Sequence, residues 1–190
     1  MTPMFYFLVA LTTVLAVAAQ DQVKFVLDSN RFPVEYNQSY YAVPRLGGSL
    51  NLSSRGDKQC PLYVQRQISL LGKGIPIKFS TTIDAYHVPQ HESLYIEMDT
   101  VPTNSSCSQE SYWWADRFVA VGPKQQDLSK NSFQIVEQFL PGVWDHYYHI
   151  YYCPTSDSCK NVGVTLDEFG TPRLTVGTFE IFSVKFVRND

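Results

Sequence analysis

The sequence predicts an all-β fold, a barrel or a sandwich, and three observations support this class. Aromatic and β-branched residues occur in short runs. Turn-forming residues separate these runs at short intervals, as they do in β-hairpin proteins. No window of a dozen residues keeps its apolar side chains at helical spacing. We therefore expect about a dozen short strands, paired so that few sheet edges stay exposed.

The predicted strands of the first half are runs of apolar and β-branched residues between turn-forming sequences. Glycine and proline mark those turns, as in Arg45-Leu46-Gly47-Gly48, Arg55-Gly56-Asp57 and Gly122-Pro123. In chain order the strands are Ser39–Val43, Ser49–Leu52, Pro61–Arg66, Ser93–Met98, Tyr112–Ala115 and Phe118–Val121.

The strands of the second half follow the same rule, with turns at Pro141-Gly142 and at Phe169-Gly170-Thr171-Pro172. The last segment is predicted as a strand because Val184 and Phe186 alternate with Lys185. In chain order these strands are Phe133–Glu137, Tyr147–Tyr152, Val162–Leu166, Arg173–Val176 and Glu180–Val187.

Residues 1–19 are predicted to be a secretory signal peptide. The run from Met4 to Ala19 is almost wholly apolar, and small residues precede Ala19, as signal peptidase requires. The run is shorter than the roughly 20 residues that a membrane span needs. We expect the leader to be cleaved and residues 20–190 to form a single domain, because no composition shift or low-complexity linker divides them.

Composition and short motifs fit an exported protein that binds neither nucleic acid nor membrane. Asn37, Asn51 and Asn104 each begin an N-glycosylation sequon and are candidate glycosylation sites. The net charge is −3, the pI is about 5.8, and no run of Lys or Arg exists. A basic patch for nucleic acid or an anionic membrane surface is therefore not expected.

The four cysteines fall into two pairs by spacing. Cys60 and Cys107 lie 47 positions apart, and Cys153 and Cys159 lie 6 apart. An even count in a secreted chain implies a disulfide framework, although four cysteines allow three connectivities. Free thiol chemistry is not expected in an oxidising compartment.

No pattern in the chain predicts an enzyme, a metal site or a cofactor. His87 and His91 have i, i+4 spacing, but Pro89 between them disfavours the helix that would align them. Asp145-His146 resembles two members of a catalytic triad, but no Gly-x-Ser-x-Gly elbow accompanies it. The sequence therefore favours a protein that binds a partner and has no catalytic residues.

Several segments together resemble the plant Kunitz-type inhibitors of the soybean trypsin inhibitor family, which includes the miraculin-like proteins. They span essentially residues 23–188 and fall in family order. The segments are Val26-Leu27-Asp28, Pro33, Tyr40-Tyr41, Gly47-Gly48, Cys60-Pro61-Leu62-Tyr63-Val64, Lys73-Gly74-Ile75-Pro76, Tyr151-Tyr152-Cys153-Pro154, Val162-Gly163-Val164 and Arg173-Leu174-Thr175-Val176.

The resemblance implies a β-trefoil, with about twelve strands in three pseudo-repeats around a six-stranded barrel and a cap of three hairpins. It also implies the disulfides Cys60–Cys107 and Cys153–Cys159. Loop-closure entropy would let the first bridge stabilise the fold by roughly 4 kcal/mol. The implied protein is a secreted monomer, extracellular or vacuolar, without cofactor.

Family inhibitors of serine proteases insert one convex loop into the cleft of the enzyme. Carried over without gaps, this contact loop consists of Thr81, Thr82, Ile83, Asp84, Ala85 and Tyr86. The residue that fills the specificity pocket then falls on Asp84, with Ala85 after the scissile bond.

Two features depart from the family pattern. Trypsin needs Arg or Lys in its specificity pocket, and Asp84 would bring like charges together at a cost of several kcal/mol. An apolar chymotrypsin-like pocket would also bury an unpaired carboxylate. The asparagine that braces the loop in family inhibitors aligns with Tyr36, one residue before Asn37. A glycan on Asn37 would also remove that asparagine as a brace.

Three interpretations stay open for the contact loop. A one-residue shift would present Ile83 or Ala85 to an elastase- or subtilisin-like protease. Without a shift, Asp84 suits a protease whose pocket accepts acidic residues. In the third, another face binds a cysteine or aspartic protease. The leading prediction is a secreted protease inhibitor with a serine protease as partner. The alternative is a non-inhibitory miraculin-like storage or defence protein, or an α-amylase-binding relative.

Overall fold

Twelve strands and one short 3-10 helix are the regular elements of the described residues. The computed structural model describes residues 23–68, 72–102, 107, 110–139, 141–142 and 144–190. The helix is Leu128–Asn131. The strands are β1 (Ser39–Pro44), β2 (Ser49–Arg55), β3 (Lys58–Gln67), β4 (Ile77–Ser80), β5 (Tyr95–Met98), β6 (Tyr112–Ala115), β7 (Val119–Gly122), β8 (Phe133–Gln138), β9 (Tyr147–Tyr152), β10 (Lys160–Leu166), β11 (Pro172–Val176) and β12 (Ser183–Arg188).

Six of the strands close into a barrel. β1 pairs with β4 and β12, β4 pairs with β5, and β9 pairs with β8 and β12, all antiparallel. A bridge between Leu94 and Phe133 completes the ring between β5 and β8. Along β4, Ile77 and Phe79 are buried and alternate with partly exposed residues, as a barrel wall requires.

The other six strands form three hairpins, β2–β3, β6–β7 and β10–β11. β3 also pairs with β7 and with β11. A bridge between Phe118 and Thr175 joins the remaining two hairpins. Each hairpin therefore contacts both others, and together they form the cap.

This connectivity repeats three times along the chain. Each unit of four consecutive strands, β1–β4, β5–β8 and β9–β12, contributes two barrel strands and one cap hairpin. The fold is a β-trefoil, and the prediction of an all-β trefoil with two disulfides is confirmed. Cys60 is bonded to Cys107 and Cys153 to Cys159, as the resemblance implies.

Each of the eleven predicted strands corresponds to a strand of the structure, and β4 was not predicted. Tyr112–Ala115 and Tyr147–Tyr152 have the predicted ends, and the other nine differ at one or both ends. β4 has only four residues and directly follows Pro76, so its sequence gives a weak strand pattern. The last strand begins at Ser183 and not at Glu180. The chain before Ser183 crosses closely over Gly163, where an added Cβ would clash with the Glu180 carbonyl oxygen.

Aromatic side chains fill the barrel. Phe186 packs edge-on against Phe79, with ring centroids 5.2 Å apart, and stacks on Tyr148 at 5.6 Å. Trp113 is fully buried against Phe133. The core therefore contains large rings from all three repeats, packed among aliphatic side chains, and such close packing fixes the strand ends from which the loops leave.

Two sequence predictions lie outside the described residues. These are the signal peptide over residues 1–19 and the sequon at Asn104. Within the part of the chain that the structure describes, no helix is long and apolar enough to cross a membrane.

Candidate functional site

The contact loop Thr81–Tyr86 lies in the connection between β4 and β5, where the first repeat passes into the second. β4 ends at Ser80, whose hydroxyl donates a hydrogen bond to Glu97 Oε1 on β5 at 2.5 Å. After the loop, the chain returns at His87, which forms a β-bridge with Glu35. The barrel therefore fixes the entry of the loop, and the segment before β1 fixes its exit.

Two consecutive backbone amides hold the ends of the contact loop. The N–H of Asn37 donates to the carbonyl oxygen of Phe79, two residues before the loop, at 2.9 Å. The N–H of Tyr36 donates to the carbonyl oxygen of Tyr86, the last loop residue, at 3.0 Å. We call this pair of bonds the backbone clamp. It brings residues 79 and 86 to neighbouring positions on one segment, so the chain between them must bulge outward.

The side chain of Tyr36 adds a third attachment inside the clamp. It is 8% exposed, and the polar Thr81 side chain lies beside its phenol. Burial raises the pKa of Tyr36, so the phenol stays neutral. From the sequence, Tyr36 was interpreted as the loss of a bracing asparagine. In the structure, this tyrosine itself contacts the first and last loop residues.

The side chains at the loop tip point into solvent. Ile83 is 61% exposed, and Thr82 and Asp84 are also exposed. Ala85 differs, because it is only partly exposed and packs against the hydrophobic core. The tip therefore presents Ile83 and Asp84, while Ala85 helps to seat the loop on the barrel.

The exit of the loop is packed by aromatic rings. His87 makes edge contacts with Tyr86, at a centroid distance of 4.8 Å, and with Phe25, at 5.4 Å. Phe25 belongs to the N-terminal segment and forms a bridge with Pro89. Sequence reasoning did not assign a role to Phe25 or Glu35, because their contacts depend on pairing between residues more than 50 positions apart.

A shallow polar groove of about 280 Å³ runs beside the loop. Thr82 forms one wall of the groove. The other lining residues come from the start of β5 and the residues before it, from the 3-10 helix and the residue after it, and from the segment after β9: Ser93, Leu94, Tyr95, Leu128, Ser129, Ser132 and Pro154. The contact loop therefore borders an open surface on the side of Thr82.

The residues considered for catalysis are engaged in separate pairs. Asp145 forms an ion pair with Lys185, and His146 hydrogen-bonds Glu137 at 2.6 Å. These pairs do not align into a triad. Among the described residues, no group of three or more His, Cys, Asp or Glu side chains is placed to hold a metal ion.

A second groove, of about 220 Å³, lies near the β11–β12 connection. His149 Nε2 and Ser183 Oγ are 3.0 Å apart there, and Ser183 donates to Gln138. Burial lowers the pKa of His149, so its ring stays neutral. Because the serine hydroxyl donates its single proton to the Gln138 amide oxygen, the His149 ring nitrogen meets the serine oxygen as a donor and not as a base.

The geometry defines a class first: a disulfide-linked β-trefoil that presents a fastened loop. Residues 26–188 match the Kunitz legume family, described as trypsin and protease inhibitors. The chain belongs to this family. It is 34% identical to Kunitz trypsin inhibitor 4 of Arabidopsis thaliana over 193 residues, which covers 93% of this chain and 86% of that protein.

Other relatives agree in sequence and in fold. The Kunitz-type trypsin inhibitor KTI2 of Glycine max is 25% identical over 173 residues, which covers 86% of this chain and 84% of that protein. Soybean trypsin inhibitor in complex with porcine pancreatic trypsin superposes with a TM-score of 0.76 at 23% identity, over 88% of this chain and all of the inhibitor. The relatives of this family are protease inhibitors and not enzymes.

Proposed function

We propose that the chain is a secreted inhibitor of a serine endopeptidase, and that it inserts the contact loop Thr81–Tyr86 into the cleft of the enzyme like a substrate. The backbone clamp is the observation that carries this proposal, because it holds both ends of the loop. A loop that is already ordered loses little conformational entropy on binding. The relatives named as trypsin inhibitors, and the soybean inhibitor bound to trypsin, support the same class of partner.

The two disulfides support passage through an oxidising secretory compartment. We therefore keep the cleaved leader 1–19, the single domain 20–190 and an extracellular or vacuolar location as parts of the proposal. The inhibitor is proposed to act as a monomer that binds one protease molecule at the contact loop.

We propose that the target is not trypsin, although the relatives are named for it. Asp84 would face the carboxylate of a trypsin-like pocket, at a cost of several kcal/mol. The partial burial of Ala85 against the core argues against this residue as the one that enters a pocket. Two candidates for the specificity residue remain. Ile83 would suit an elastase- or subtilisin-like enzyme, and Asp84 would suit an enzyme that accepts acidic residues.

Two arginine variants test the loop and its register together. We expect Asp84→Arg to inhibit trypsin at least about a hundredfold more tightly than the wild type, since several kcal/mol of repulsion are replaced by attraction. Ile83→Arg should gain much less. Inhibition constants for trypsin measure both variants. A gain by Ile83→Arg alone would make residue 83 the specificity position. Rapid cleavage of both variants at the new arginine would refute the inhibitory loop.

The wild-type protein should then be assayed against elastase, subtilisin, chymotrypsin, an acid-specific endopeptidase, papain, pepsin and an α-amylase. We expect inhibition of a serine protease from this panel. Inhibition restricted to papain or pepsin would move the contact to another face. No inhibition of any of these enzymes would favour a non-inhibitory storage or defence protein.

A further inference from the structure

The two described sequons differ in the surroundings of their asparagines. Asn37 is exposed at a corner of the chain, with its backbone in the left-handed region at φ 64°. Asn51 lies inside β2, where its Nδ2 donates to Gln67 Oε1 at 2.6 Å and its Oδ1 accepts from the Leu52 N–H. A glycan on Asn51 would crowd this bond across β2 and β3. A glycan on Asn37 would extend directly into solvent.

Asn37 also lies at the base of the contact loop. Its own N–H forms half of the backbone clamp, by donating to Phe79, and Tyr36 forms the other half with Tyr86. Ile83 is three residues from Tyr86, and three extended residues span at most about 10 Å. A branched glycan of several sugar rings on Asn37 would therefore stand beside the loop tip at comparable height.

We propose that Asn37 is N-glycosylated and that its glycan shields one flank of the contact loop. The shield would admit enzymes that touch only the tip and exclude those that also cover the loop base. This inference rests on the proposed inhibitory function, and it names a regulation of the same site. The backbone clamp uses the amide of Asn37 and not its side chain, so the modification leaves the clamp intact.

N-glycosylation of Asn37 requires a lipid-linked sugar donor and a chain that has not yet folded at this site. Nδ2 of Asn37 forms a bond to C1 of an oligosaccharide carried on a lipid pyrophosphate. The C1–O bond breaks, the lipid pyrophosphate leaves with the electron pair, and the amide loses one proton. In the folded chain, the sequon hydroxyl of Ser39 donates to Asp99 at 2.8 Å, so transfer is expected before β1 is folded.

Occupancy is tested on the full chain secreted from a eukaryotic host. Glycopeptide mass spectrometry should find most molecules modified at Asn37 and fewer at Asn51. The mass should fall by one glycan in Asn37→Gln. Unmodified Asn37 in the secreted protein would overturn the proposal, whether or not the protein inhibits any enzyme.

Shielding is tested with subtilisin as the probe. If the loop inhibits subtilisin, the inhibition constant is measured. If it does not, the rate at which subtilisin cleaves the chain between residues 81 and 86 is measured. Asn37→Gln should inhibit subtilisin, or be cleaved by it, roughly tenfold more readily than the glycosylated wild type: its inhibition constant should be about tenfold lower, or its cleavage rate about tenfold higher. The reason is that the glycan blocks some directions of approach and so lowers the association rate. Asn51→Gln is the control and should match the wild type.

The two proposals fail in different ways. Cleavage of the loop by subtilisin, together with no inhibition of any enzyme of the panel, would refute the inhibitory function, while a difference in cleavage rates would still support the shield. Equal inhibition constants or equal cleavage rates for the wild type and Asn37→Gln would count against the shield. So would the absence of both inhibition and cleavage in the two proteins.

Discussion

The contact loop and the turn between β10 and β11 have similar lengths but are held in opposite ways. The turn wraps around the Asp167 carboxylate, which is fully buried and accepts hydrogen bonds from the N–H groups of Phe169 and Thr171 and from Arg173 Nε. Burial raises the pKa of Asp167, but the Thr171 N–H and the Arg173 guanidinium outweigh it and the pKa is lowered. The turn is thus organised from inside by its own side chains.

The Arg173 guanidinium extends this organisation to the neighbouring hairpin. It donates to the carbonyl oxygens of Ser53 and Ser54 and to the Ser53 hydroxyl, and it lies over the ring of Tyr63. The side chain is 2% exposed. One buried ion pair therefore fixes a turn and joins two hairpins of the cap.

The contact loop, in contrast, is fastened from outside. The amides of residues 36 and 37 hold its ends, and Ile83 and Asp84 at its tip are exposed. A backbone amide bonds a carbonyl oxygen whatever side chain the loop residue carries. The difference implies that the turn depends on particular side chains. The residues of the loop tip, in contrast, can be changed with little loss of stability, so the specificity of the loop can vary.

The largest effect is expected where the turn loses its partner. Arg173→Ala leaves the buried Asp167 carboxylate unpaired and should lower the free energy of unfolding by about 3–5 kcal/mol. Urea unfolding at neutral pH measures it. The matched control is Arg55→Ala, since Arg55 pairs with Glu168 in the same cap but the two side chains are 31% and 52% exposed. Solvent screens that pair, so its loss should destabilise the fold far less, and equal losses in both variants would contradict the contrast.

An intermediate and local effect is expected for the third attachment of the loop. Tyr36→Phe removes the polar contact with Thr81 and should cost about 1 kcal/mol of stability or less. Tyr148→Phe is the control, because its buried hydroxyl accepts the Leu27 N–H at 2.8 Å and does not touch the loop. Only Tyr36→Phe should accelerate cleavage between residues 81 and 86 by subtilisin. Equal cleavage rates in the two variants would show that Tyr36 does not hold the loop.

The fold was predictable from local patterns and family order, and its exceptions were long-range. Alternation places Tyr148 and Ile150 on one face of β9, and both are buried. The start of the last strand was misplaced because the approach of residue 180 to Gly163 is invisible in the local sequence. Short strands next to proline are missed for the same reason, since neighbours in space define them.

The contact loop itself was predicted only through the resemblance, and its support was not predicted. Tyr36 reads as a departure from the family when side chains are aligned, because the alignment carries no information on backbone bonds. A signal existed in the apolar residues before β1: Phe25, Val26 and Leu27 form a short apolar run, and Val26 and Val34 are fully buried. This pattern marks a segment that pairs with the chain after the loop.

The smallest effect on stability is expected at the loop tip, where the exposed Asp84 and the partly buried Ala85 are adjacent and can be compared directly. Asp84→Asn changes an exposed side chain and should alter the free energy of unfolding by less than about 0.5 kcal/mol. Ala85→Asn places an amide against the core and should cost about 1–3 kcal/mol. Thermal unfolding of both variants decides this. A large loss in Asp84→Asn would mean that the tip side chain supports the fold, and that specificity cannot vary there independently of stability.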